Sequence, residues 1–508
     1  MSGRKDAITK GRTPAGKASD GAEAWLSRGT VAILSIDDWT RQGQGVGHLK
    51  VGDHLFLPSG ENSAARSEAS SGSQPGLLLE EGHPFLGFTL FVEGAFPGDR
   101  VEVRIVKRKK QYAQAQLVRL LEASAQRRPS PCPYALSCGG CPLIEMAPVF
   151  QEAWKKSLIA GTLRHLGGHS VTGVPLVTGP EWGYRNKLTM RVDDQGRLAF
   201  LGAKSHQRVA IDHCLIAHPA INQLIECWQR EVAPKLSSEG KDFQIFSVLL
   251  RANQAGQGLV HLITSPLSSL QAQKLAQLLG ILSAHVLSRS EAHQAQDTVI
   301  HPPIFFASEA RALPEKVLGL AAAISPASFF QVNRFLLEPL YANAIALFRS
   351  LGSLQGRRIF DLYCGTGLTS LLLAKEGAQV TGIELVPSAV EDARCNAQSN
   401  GLSTPRFFAG RVEALLPRLL KESDEVTMGE AWALVDPPRA GLSASVSEAI
   451  GQSALRALVY ISCDPASLSR DLKVLSSFGF VVQKVLGVDQ FVQTGHVETV
   501  VLMSRVKD

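Results

Sequence analysis

The sequence predicts a multi-domain chain: a small β-barrel, an α+β middle region and a C-terminal α/β domain with a parallel, doubly wound sheet. Its 508 residues allow about three domains at roughly 150 residues each. Short alternating strands predominate early, strands and helices mix in the middle, and regular strand–helix alternation follows Ile324. The predicted domains are residues 29–125, 126–320 and 321–508.

Composition and charge limit the classes of protein to consider. Hydrophobic residues make up 45% of the chain and charged residues 19%, enough to bury a core over most of its length. The sequence contains no run of 18 or more apolar residues, which argues against a membrane span. Residues 1–28 are polar with scattered Lys and Arg and lack the apolar stretch of a secretory signal, so a disordered basic tail and a cytoplasmic location are expected.

The N-terminal region reads as a barrel of short strands separated by Gly and Pro turns. Residues 59–87 are rich in Ser, Gly and Glu and predict a mobile loop insertion. The net charge of +6 permits a nucleic-acid partner without requiring one. Positive charge concentrates near Lys107-Arg108-Lys109-Lys110, which indicates either a polyanion-binding surface or a solvated strand end. The predicted strands are 31–34, 55–57, 88–92, 101–105 and 115–118.

Three of the eight cysteines, Cys132, Cys138 and Cys141, fall within ten residues. With no secretory signal, this spacing favours a reducing compartment and metal or catalytic use over disulfides. The three suffice for one metal centre but lack a fourth ligand. Zinc commonly takes four ligands, often from two C-x2-C pairs, and only one such pair is present here.

A glycine turn in the α/β domain indicates a nucleoside site. Asp361-Leu-Tyr-Cys-Gly-Thr-Gly367 joins the first strand to its helix, and Glu384 ends the second strand, where a carboxylate can accept both ribose hydroxyls. The third glycine of dinucleotide-binding turns is missing, because Ser370 stands there, which favours a nucleoside without a pyrophosphate. A tight structural turn is the alternative.

Two further strands carry candidate chemistry to the same edge of the sheet. Asp436-Pro-Pro-Arg439 follows one, and its final Arg, where amino-group methylases have an aromatic residue, argues against adenine-N6 chemistry. Cys463 follows the other, ahead of Pro465, which cannot continue the strand, and of a helix start predicted over Ala466–Asp471. A lone Cys is often inert core, but a helix N-terminus lowers a thiol pKa, so we expect a reactive thiolate. Glu498 precedes the last strand and is either a base or a solvated side chain.

Taken together, these motifs show that the chain resembles the RNA uracil-5 methyltransferases. The likeness rests on four motifs: 361–367, Asp436-Pro-Pro-Arg-Ala-Gly441, Val459-Tyr-Ile-Ser-Cys-Asp-Pro-Ala466 and Gln493-Thr-Gly-His-Val-Glu498. The resemblance implies an S-adenosylmethionine-dependent enzyme. A thiolate must add to uracil C6 before C5 can accept a methyl group, and a base must then remove the C5 proton. The family assigns these roles to Cys463 and Glu498.

The resemblance also implies ligand contacts. Cofactor contacts are expected from Gln331, Tyr363, Glu384 and Asp436, whereas Leu368 and Arg411 depart from residues that some members use. In the ribosomal-RNA branch the cysteine spacing belongs to a [4Fe-4S] cluster, and Asp212-His-Cys214 matches the position of the distant fourth ligand. The resemblance therefore implies iron–sulfur rather than zinc, held by Cys132, Cys138, Cys141 and Cys214 but not by Cys227.

The N-terminal barrel resembles a TRAM domain, an RNA-binding barrel of the OB kind, through 99–105 and 109–113. With the cysteine spacing, it favours 23S ribosomal RNA as substrate over the tRNA T-loop, for an enzyme expected to act as a monomer. An RNA 5-methylcytosine enzyme would usually carry a second Cys beside Asp436, and none lies there. An RNA-binding protein with an inactive methylase domain is disfavoured by the intact Cys463, Glu498 and glycine turn.

Overall fold

The computed structural model describes residues 26–57, 76–203, 205, 207–239, 244–292, 294, 303–306, 310–326, 328–422 and 431–505. Most of the predicted basic tail and the first part of the predicted insertion lie outside these residues. The chain forms two compact units. The N-terminal unit comprises Met1–Pro129 with Glu145–Ala147, and the C-terminal unit comprises Ser130–Ile144 with Pro148–Asp508.

The N-terminal unit is one sheet of eight strands in the order β2-β3-β6-β8-β7-β1-β4-β5. Its core contains inward-facing side chains such as Leu34, Leu55 and Val103, and alternation along β7 supplies several of them. All five predicted strands are present. The strands are β1 Val31–Ser35, β2 Asp38–Trp39, β3 Gln44–His48, β4 His54–Phe56, β5 Leu77–Leu78, β6 Thr89–Glu93, β7 Arg100–Arg108 and β8 Tyr112–Glu122.

The second half of the predicted mobile insertion belongs to this sheet instead. Leu77–Leu78 pairs with β4, and Leu79 is fully buried. The amide of Leu79 donates to the Asp53 carbonyl at 2.9 Å, and the Leu79 carbonyl accepts from Gly52 at 2.9 Å. The prediction of a mobile loop over 59–87 is therefore wrong for this part, because Leu77 and Leu79 pack against the core while Leu78 faces outwards.

The C-terminal unit begins with the cysteine segment and contains a mixed sheet in the order β12-β11-β10-β13-β14-β15-β16. Helices pack on this sheet around Trp228, Leu250 and Leu262. Its elements are α1 Ala135–Cys138, α2 Pro148–Gly167, β9 Leu176–Val177, β10 Lys187–Val192, β11 Leu198–Leu201, β12 Arg208–Ala210, α3 Pro219–Cys227, a π-helical turn Trp228–Val232, α4 Ala233–Glu239, β13 Ile245–Ala252, β14 Gly258–Thr264, α5 Ser269–Leu279, a 3-10 turn Gly280–Leu282, β15 Val286–Glu291, β16 Ile304–Phe305, and the two-stranded β17 Leu313–Val317 and β18 Leu320–Ile324.

The remaining strands form a sheet in the order β21-β20-β19-β22-β23-β25-β24-β9. Helices cover both faces, with Leu371 and Val390 packed on one and Leu416 and Leu472 on the other. The elements are α6 Leu337–Arg349, β19 Arg358–Leu362, α7 Leu368–Lys375, β20 Gln379–Glu384, α8 Pro387–Ser399, β21 Arg406–Ala409, α9 Val412–Lys421, β22 Trp432–Val435, α10 Ala444–Gln452, β23 Ala457–Ser462, α11 Pro465–Ser477, β24 Phe480–Val488 and β25 Glu498–Arg505.

The predicted parallel sheet is correct for β19 to β23 and wrong at the far edge. β25 runs antiparallel to both β23 and β24, because β24 and β25 form a hairpin. The outermost strand is β9, which precedes the middle sheet in sequence and pairs parallel to β24. Helix α2 also packs here, through Ile159 and Leu163. The segment next to the cysteines thus completes this sheet.

Candidate functional site

The carboxyl ends of three neighbouring parallel strands bring together three of the predicted cofactor residues. Tyr363 follows β19, Glu384 ends β20 and Asp436 follows β22. The registers pair Leu362 with Ile383 and with Val435, so the strand ends lie level. This is the edge at which ligands bind in open α/β sheets.

The glycine turn adopts a conformation that its neighbours must enforce. Tyr363 has a φ of +66°, a region costly for a non-glycine residue, by about 1–3 kcal/mol. The amides of Tyr363 and Cys364 both donate to the Ile383 carbonyl, at 2.9 and 3.1 Å. At Gly367, an added Cβ would lie 2.7 Å from that of Ala393. The turn is therefore held tightly against β20 and α8.

Glu384 is fixed against this turn by two backbone donors. Its Oε2 accepts from the Gly365 amide at 3.1 Å and its Oε1 from the Val386 amide at 2.9 Å. A carboxylate oxygen can accept more than one hydrogen bond. An added Cβ on Gly365 would meet no atom within 4 Å, so space remains beside the carboxylate for a ribose.

Asp361 is a buried carboxylate that sequence reasoning placed in the motif but not among the site residues. Its Oδ2 accepts from Thr369 Oγ1 at 2.7 Å and from Ser370 Oγ at 2.5 Å. Its Oδ1 has no hydrogen-bond partner among the described residues. Burial raises the pKa of Asp361 to about 6. Its place at the start of the glycine turn was the signal available in the sequence.

Cys463 directly follows β23 and Glu498 begins β25, so both lie at the same end of two adjacent antiparallel strands. Ser462 of β23 pairs with Thr499 of β25, and the next position in that register sets Cys463 beside Glu498. Cys463 is half-buried, whereas only 3% of Glu498 is exposed. The structure thus brings the predicted nucleophile and the predicted base together.

The electrostatics of this pair differ from the sequence-based expectation. Burial raises the pKa of the Cys463 thiol to about 11, helped by the charges of Glu498 and Asp436 and opposed by Arg439. The expected lowering by the following helix is absent, because Asp464 caps α11 and accepts from the amides of Ala466 and Ser467 at 2.8 and 3.4 Å. The first amides of the helix are therefore already occupied by a carboxylate.

The two neighbouring carboxyl groups are also shifted upwards. Burial and the charge of Asp436 raise the pKa of Glu498 to about 8, and Arg439 opposes them. Burial and Asp361 raise the pKa of Asp436 to about 7. Sequence reasoning used Arg439 only to exclude adenine chemistry, yet Arg439 is the cation that acts on both Cys463 and Glu498. Groups poised near neutral pH are typical of acid–base sites.

Gln331 joins this group from a segment before α6. Only 3% of Gln331 is exposed, and its backbone carbonyl accepts from Asn186 Nδ2 at 3.1 Å. Its side chain hydrogen-bonds Tyr341, whose pKa is raised by burial and by the charges of Asp436, Asp361 and Glu498. Gln331 therefore lies beside the same carboxyl groups.

The four predicted cluster cysteines line one cavity of about 530 Å³. Burial, with a smaller contribution from neighbouring thiols, raises the pKa of Cys141 to about 12 and that of Cys214 to about 11, and the charge of Arg185 opposes both shifts. Cys227 does not line this cavity; its Sγ lies 3.8 Å from the Ile281 carbonyl. Cys227 thus lies apart from the cavity that the four predicted ligands line.

The described residues contain no group of three His, Cys, Asp or Glu side chains arranged around a single metal ion. The four side chains that would be ligands are all cysteine thiols, and thiolate-only ligation is the donor set that an iron–sulfur cluster takes.

In the N-terminal unit the predicted basic run comprises the last two residues of β7, Lys107 and Arg108, and the first two of the turn that leads to β8, Lys109 and Lys110. Lys107, Lys109 and Lys110 are exposed. Nearby, the rings of Phe91 and Tyr112 meet edge to face with centroids 5.4 Å apart. Cations beside aromatic rings suit a nucleic-acid strand.

No described helix has the length and apolar character needed to cross a bilayer.

Comparison with known proteins gives two family matches. The tRNA (uracil-5-)-methyltransferase family matches residues 155–506, and the TRAM domain matches residues 27–118. An uncharacterized RNA methyltransferase of Clostridium acetobutylicum is 31% identical over 434 residues, covering 82% of this chain and 93% of that protein.

Two further similarities concern enzymes with named substrates. The 23S rRNA (uracil(1939)-C(5))-methyltransferase RlmD of Shewanella sp. strain ANA-3 is 33% identical over 431 residues, covering 83% of this chain and 92% of that protein. The crystal structure of Pyrococcus abyssi tRNA (uracil-54, C5)-methyltransferase with S-adenosyl-L-homocysteine superposes with a TM-score of 0.66 at 21% identity, covering 93% of this chain and 100% of that one. The latter establishes a shared fold.

Proposed function

Because the chain belongs to the tRNA (uracil-5-)-methyltransferase family, and is thus an S-adenosylmethionine-dependent RNA uracil-5-methyltransferase, we propose that it methylates a uridine of 23S ribosomal RNA. In this proposal Cys463 is the nucleophile and Glu498 the base. The observation that carries the assignment is the position of Cys463 directly beside Glu498 at the ligand-binding edge of the sheet.

The first chemical step is attack by Cys463. The thiol, which is only half-buried, gives its proton to solvent. The thiolate sulfur then bonds to uracil C6, and the electrons of the C5–C6 double bond move toward the C4 carbonyl oxygen, so that C5 becomes nucleophilic. Because burial and Glu498 raise the pKa of the thiol, proton loss is unfavourable at neutral pH. The positive charge of Arg439, which lowers this pKa, favours the thiolate.

The cofactor site fits a nucleoside. Gln331, Tyr363, Glu384 and Asp436 would hold S-adenosylmethionine, with the anchored carboxylate of Glu384 accepting the ribose hydroxyls. When bound, this cofactor supplies an electrophilic methyl group for C5. The open space at Gly365 and the missing third glycine support a ligand without a pyrophosphate.

The last step is proton removal by Glu498. Once C5 carries both a proton and a methyl group, the Glu498 carboxylate takes that proton, the C5–C6 double bond re-forms and the Cys463 thiolate leaves. A base with a pKa of about 8 is strong enough to accept a proton near neutral pH. Burial excludes water from this carboxylate, which keeps the transfer directed.

We also propose that Cys132, Cys138, Cys141 and Cys214 hold a [4Fe-4S] cluster. The four thiols share one cavity, Arg185 supplies a positive charge near two of them, and thiolate-only ligation is typical of such clusters. The methylation steps above move no electron, so the cluster has a structural rather than a redox task in this proposal.

The RNA substrate is proposed from the relatives. RlmD of Shewanella, at 33% identity, supports 23S ribosomal RNA, and its target, uridine 1939, is the first position to examine. The structural relative acts on tRNA and makes the T-loop uridine the alternative. We also propose that the protein acts in the cytoplasm as a monomer.

The test is to map 5-methyluridine in 23S and transfer RNA from a strain lacking this gene. We expect one 23S position to lose its methyl group and to regain it with the wild-type gene but not with Cys463→Ala. Loss of methylation confined to tRNA would show that tRNA is the substrate instead of 23S ribosomal RNA. Unchanged methylation in both RNAs would refute the proposal.

A further inference from the structure

The segment that joins β24 to β25 is buried although it is irregular. This hairpin loop, residues 489–497, ends immediately before Glu498, and Val488 pairs with Glu498 across its base. Gln490 and Gln493 are fully buried within it. Buried irregular backbone requires hydrogen-bond partners from elsewhere, and those partners determine where Glu498 stands.

One set of partners comes from the cysteine segment. The amide of Leu143, two residues after Cys141, donates to the Gln493 carbonyl at 3.0 Å. Gln151 Nε2 of α2 donates both to the Leu143 carbonyl at 2.9 Å and to Gln493 Oε1 at 2.8 Å. Gln493 itself has a φ of +66°, a conformation that persists only where the surroundings hold it.

A second set comes from an apolar group that packs against two of the cavity cysteines, Cys141 and Cys214. The hydroxyl of Tyr184, which is fully buried, donates to the Val492 carbonyl at 2.8 Å. Val492 packs with Tyr184 and Ile216, and Cys141 and Cys214 contact the same apolar group. Two of the four cavity cysteines thus touch the side chains that hold the loop.

A buried ion pair fixes the start of the loop. Lys155 Nζ lies 2.5 Å from Asp489 Oδ1, and both side chains are almost fully buried. The same ammonium donates to the Phe491 carbonyl at 3.2 Å. Helix α2 therefore holds the start of the loop through Lys155. The later part is held by Gln151 of the same helix together with Tyr184 and Leu143.

We infer that Tyr184 and the Cys141–Leu143 segment are positioning residues for Glu498, so that the state of the cysteine cavity governs how fast the methylated RNA is released. A base must stand within hydrogen-bond reach of the proton it removes, and Glu498 directly follows the loop. Cys463 instead belongs to the junction of β23 and α11, which is held by the Asp464 cap. Disturbing the loop should slow release and spare attack.

The experiment uses the full-length protein and compares Tyr184→Phe with Tyr460→Phe. Both tyrosines are fully buried, and the Tyr460 hydroxyl donates one hydrogen bond, to Asp471 Oδ2 at 2.7 Å. For each variant, adduct formation and release are timed in single turnovers with uridine RNA and S-adenosylmethionine. Hydrogen–deuterium exchange of residues 489–497 is measured without RNA.

Tyr184→Phe should form the adduct at nearly the wild-type rate, release it about fivefold more slowly, the factor equivalent to one buried hydrogen bond, and exchange faster in the loop. Tyr460→Phe should show neither slower release nor faster loop exchange. Cys141→Ser should also speed exchange in the loop, with Cys227→Ser as its control, since Cys227 lies outside the cavity.

The inference is overturned if Tyr184→Phe releases RNA at the wild-type rate or if both tyrosine variants release it equally slowly. It is also overturned if neither Tyr184→Phe nor Cys141→Ser changes hydrogen–deuterium exchange in the loop. The measurement of RNA release rests on the proposed function, whereas the measurement of hydrogen–deuterium exchange does not. A wild-type enzyme that forms no adduct would refute the proposed mechanism, and the exchange result would still decide the role of Tyr184.

Discussion

Among the charged groups, Glu498 raises the pKa of the Cys463 thiol the most. Burial has the larger effect, and the pKa of the thiol stands at about 11. The nucleophile and the base therefore oppose each other's ionisation, and a thiolate beside a carboxylate is unfavourable. Attack is favoured when Glu498 holds a proton, and release requires that Glu498 has lost it. The pair thus suits a cycle in which the two groups are ionised at different stages.

Replacing the nucleophile should abolish covalent trapping. With 5-fluorouridine RNA and S-adenosylmethionine, the wild-type enzyme should form a stable adduct, because fluorine at C5 cannot leave as a proton. Cys463→Ala should form none on a denaturing gel. Cys395→Ala, an exposed cysteine on α8, serves as the control and should trap RNA normally; an adduct with Cys463→Ala would move the nucleophile elsewhere.

Removing the base should stall the last step. Glu498→Gln keeps the shape of the side chain but cannot accept the C5 proton, so a methylated enzyme–RNA adduct should accumulate with ordinary uridine RNA. Mass spectrometry of the adduct checks for the transferred methyl group. Glu448→Gln, exposed on α10, is the matched control. Wild-type turnover by Glu498→Gln would remove Glu498 from the mechanism.

The pH dependence of attack follows from the raised thiol pKa. Below about 11 the thiol is mostly protonated, so the thiolate fraction, and with it the rate of adduct formation, should rise with pH above neutrality by up to about tenfold per pH unit. The rise should be shallower around pH 8, where Glu498 ionises and its charge opposes the thiolate. Arg439 lowers this pKa, so Arg439→Gln should shift the rise to higher pH. Rapid-quench measurements test this, with the exposed Arg418→Gln as control; superimposable profiles for Arg439→Gln and wild type would contradict it.

Iron content tests the cysteine cavity. Anaerobically purified protein should be brown and hold about four irons, as expected of a cysteine-ligated [4Fe-4S] centre. Alanine at Cys132, Cys138, Cys141 or Cys214 should remove the colour, whereas Cys227→Ala should retain it because Cys227 lies outside the cavity. Stoichiometric zinc without iron by elemental analysis would overturn the assignment.

Salt dependence tests the basic run of the N-terminal unit. Neutralising Lys107, Arg108, Lys109 and Lys110 together should weaken RNA binding and reduce the slope of log affinity against log salt by about one to a few, roughly one for each lost phosphate contact. Affinity for S-adenosylmethionine should not change. An unaltered slope would identify these residues as a solvated surface.

The sequence was informative wherever a strongly buried strand ends in a rigid turn. β23 is buried at every position and Pro465 stops it, so the position of Cys463 at the sheet edge could be predicted. The pKa of Cys463 could not, because Glu498, Asp436 and Arg439 act on it from separate strands. β9 was missed because two residues carry no periodicity, and the positive φ of Tyr363 has no signature in its residue type.

The place of β9 at the edge of the large sheet decides how the chain can be divided. Leu176 and Val177 pair with Gly487 and Val488, and α2 covers the sheet face nearby. A fragment starting at residue 321 would leave β24 with an unpaired edge, and exposed strand edges recruit other chains. Such a fragment should aggregate when expressed alone, whereas one starting at residue 130 keeps its own edge strand and should stay dispersed.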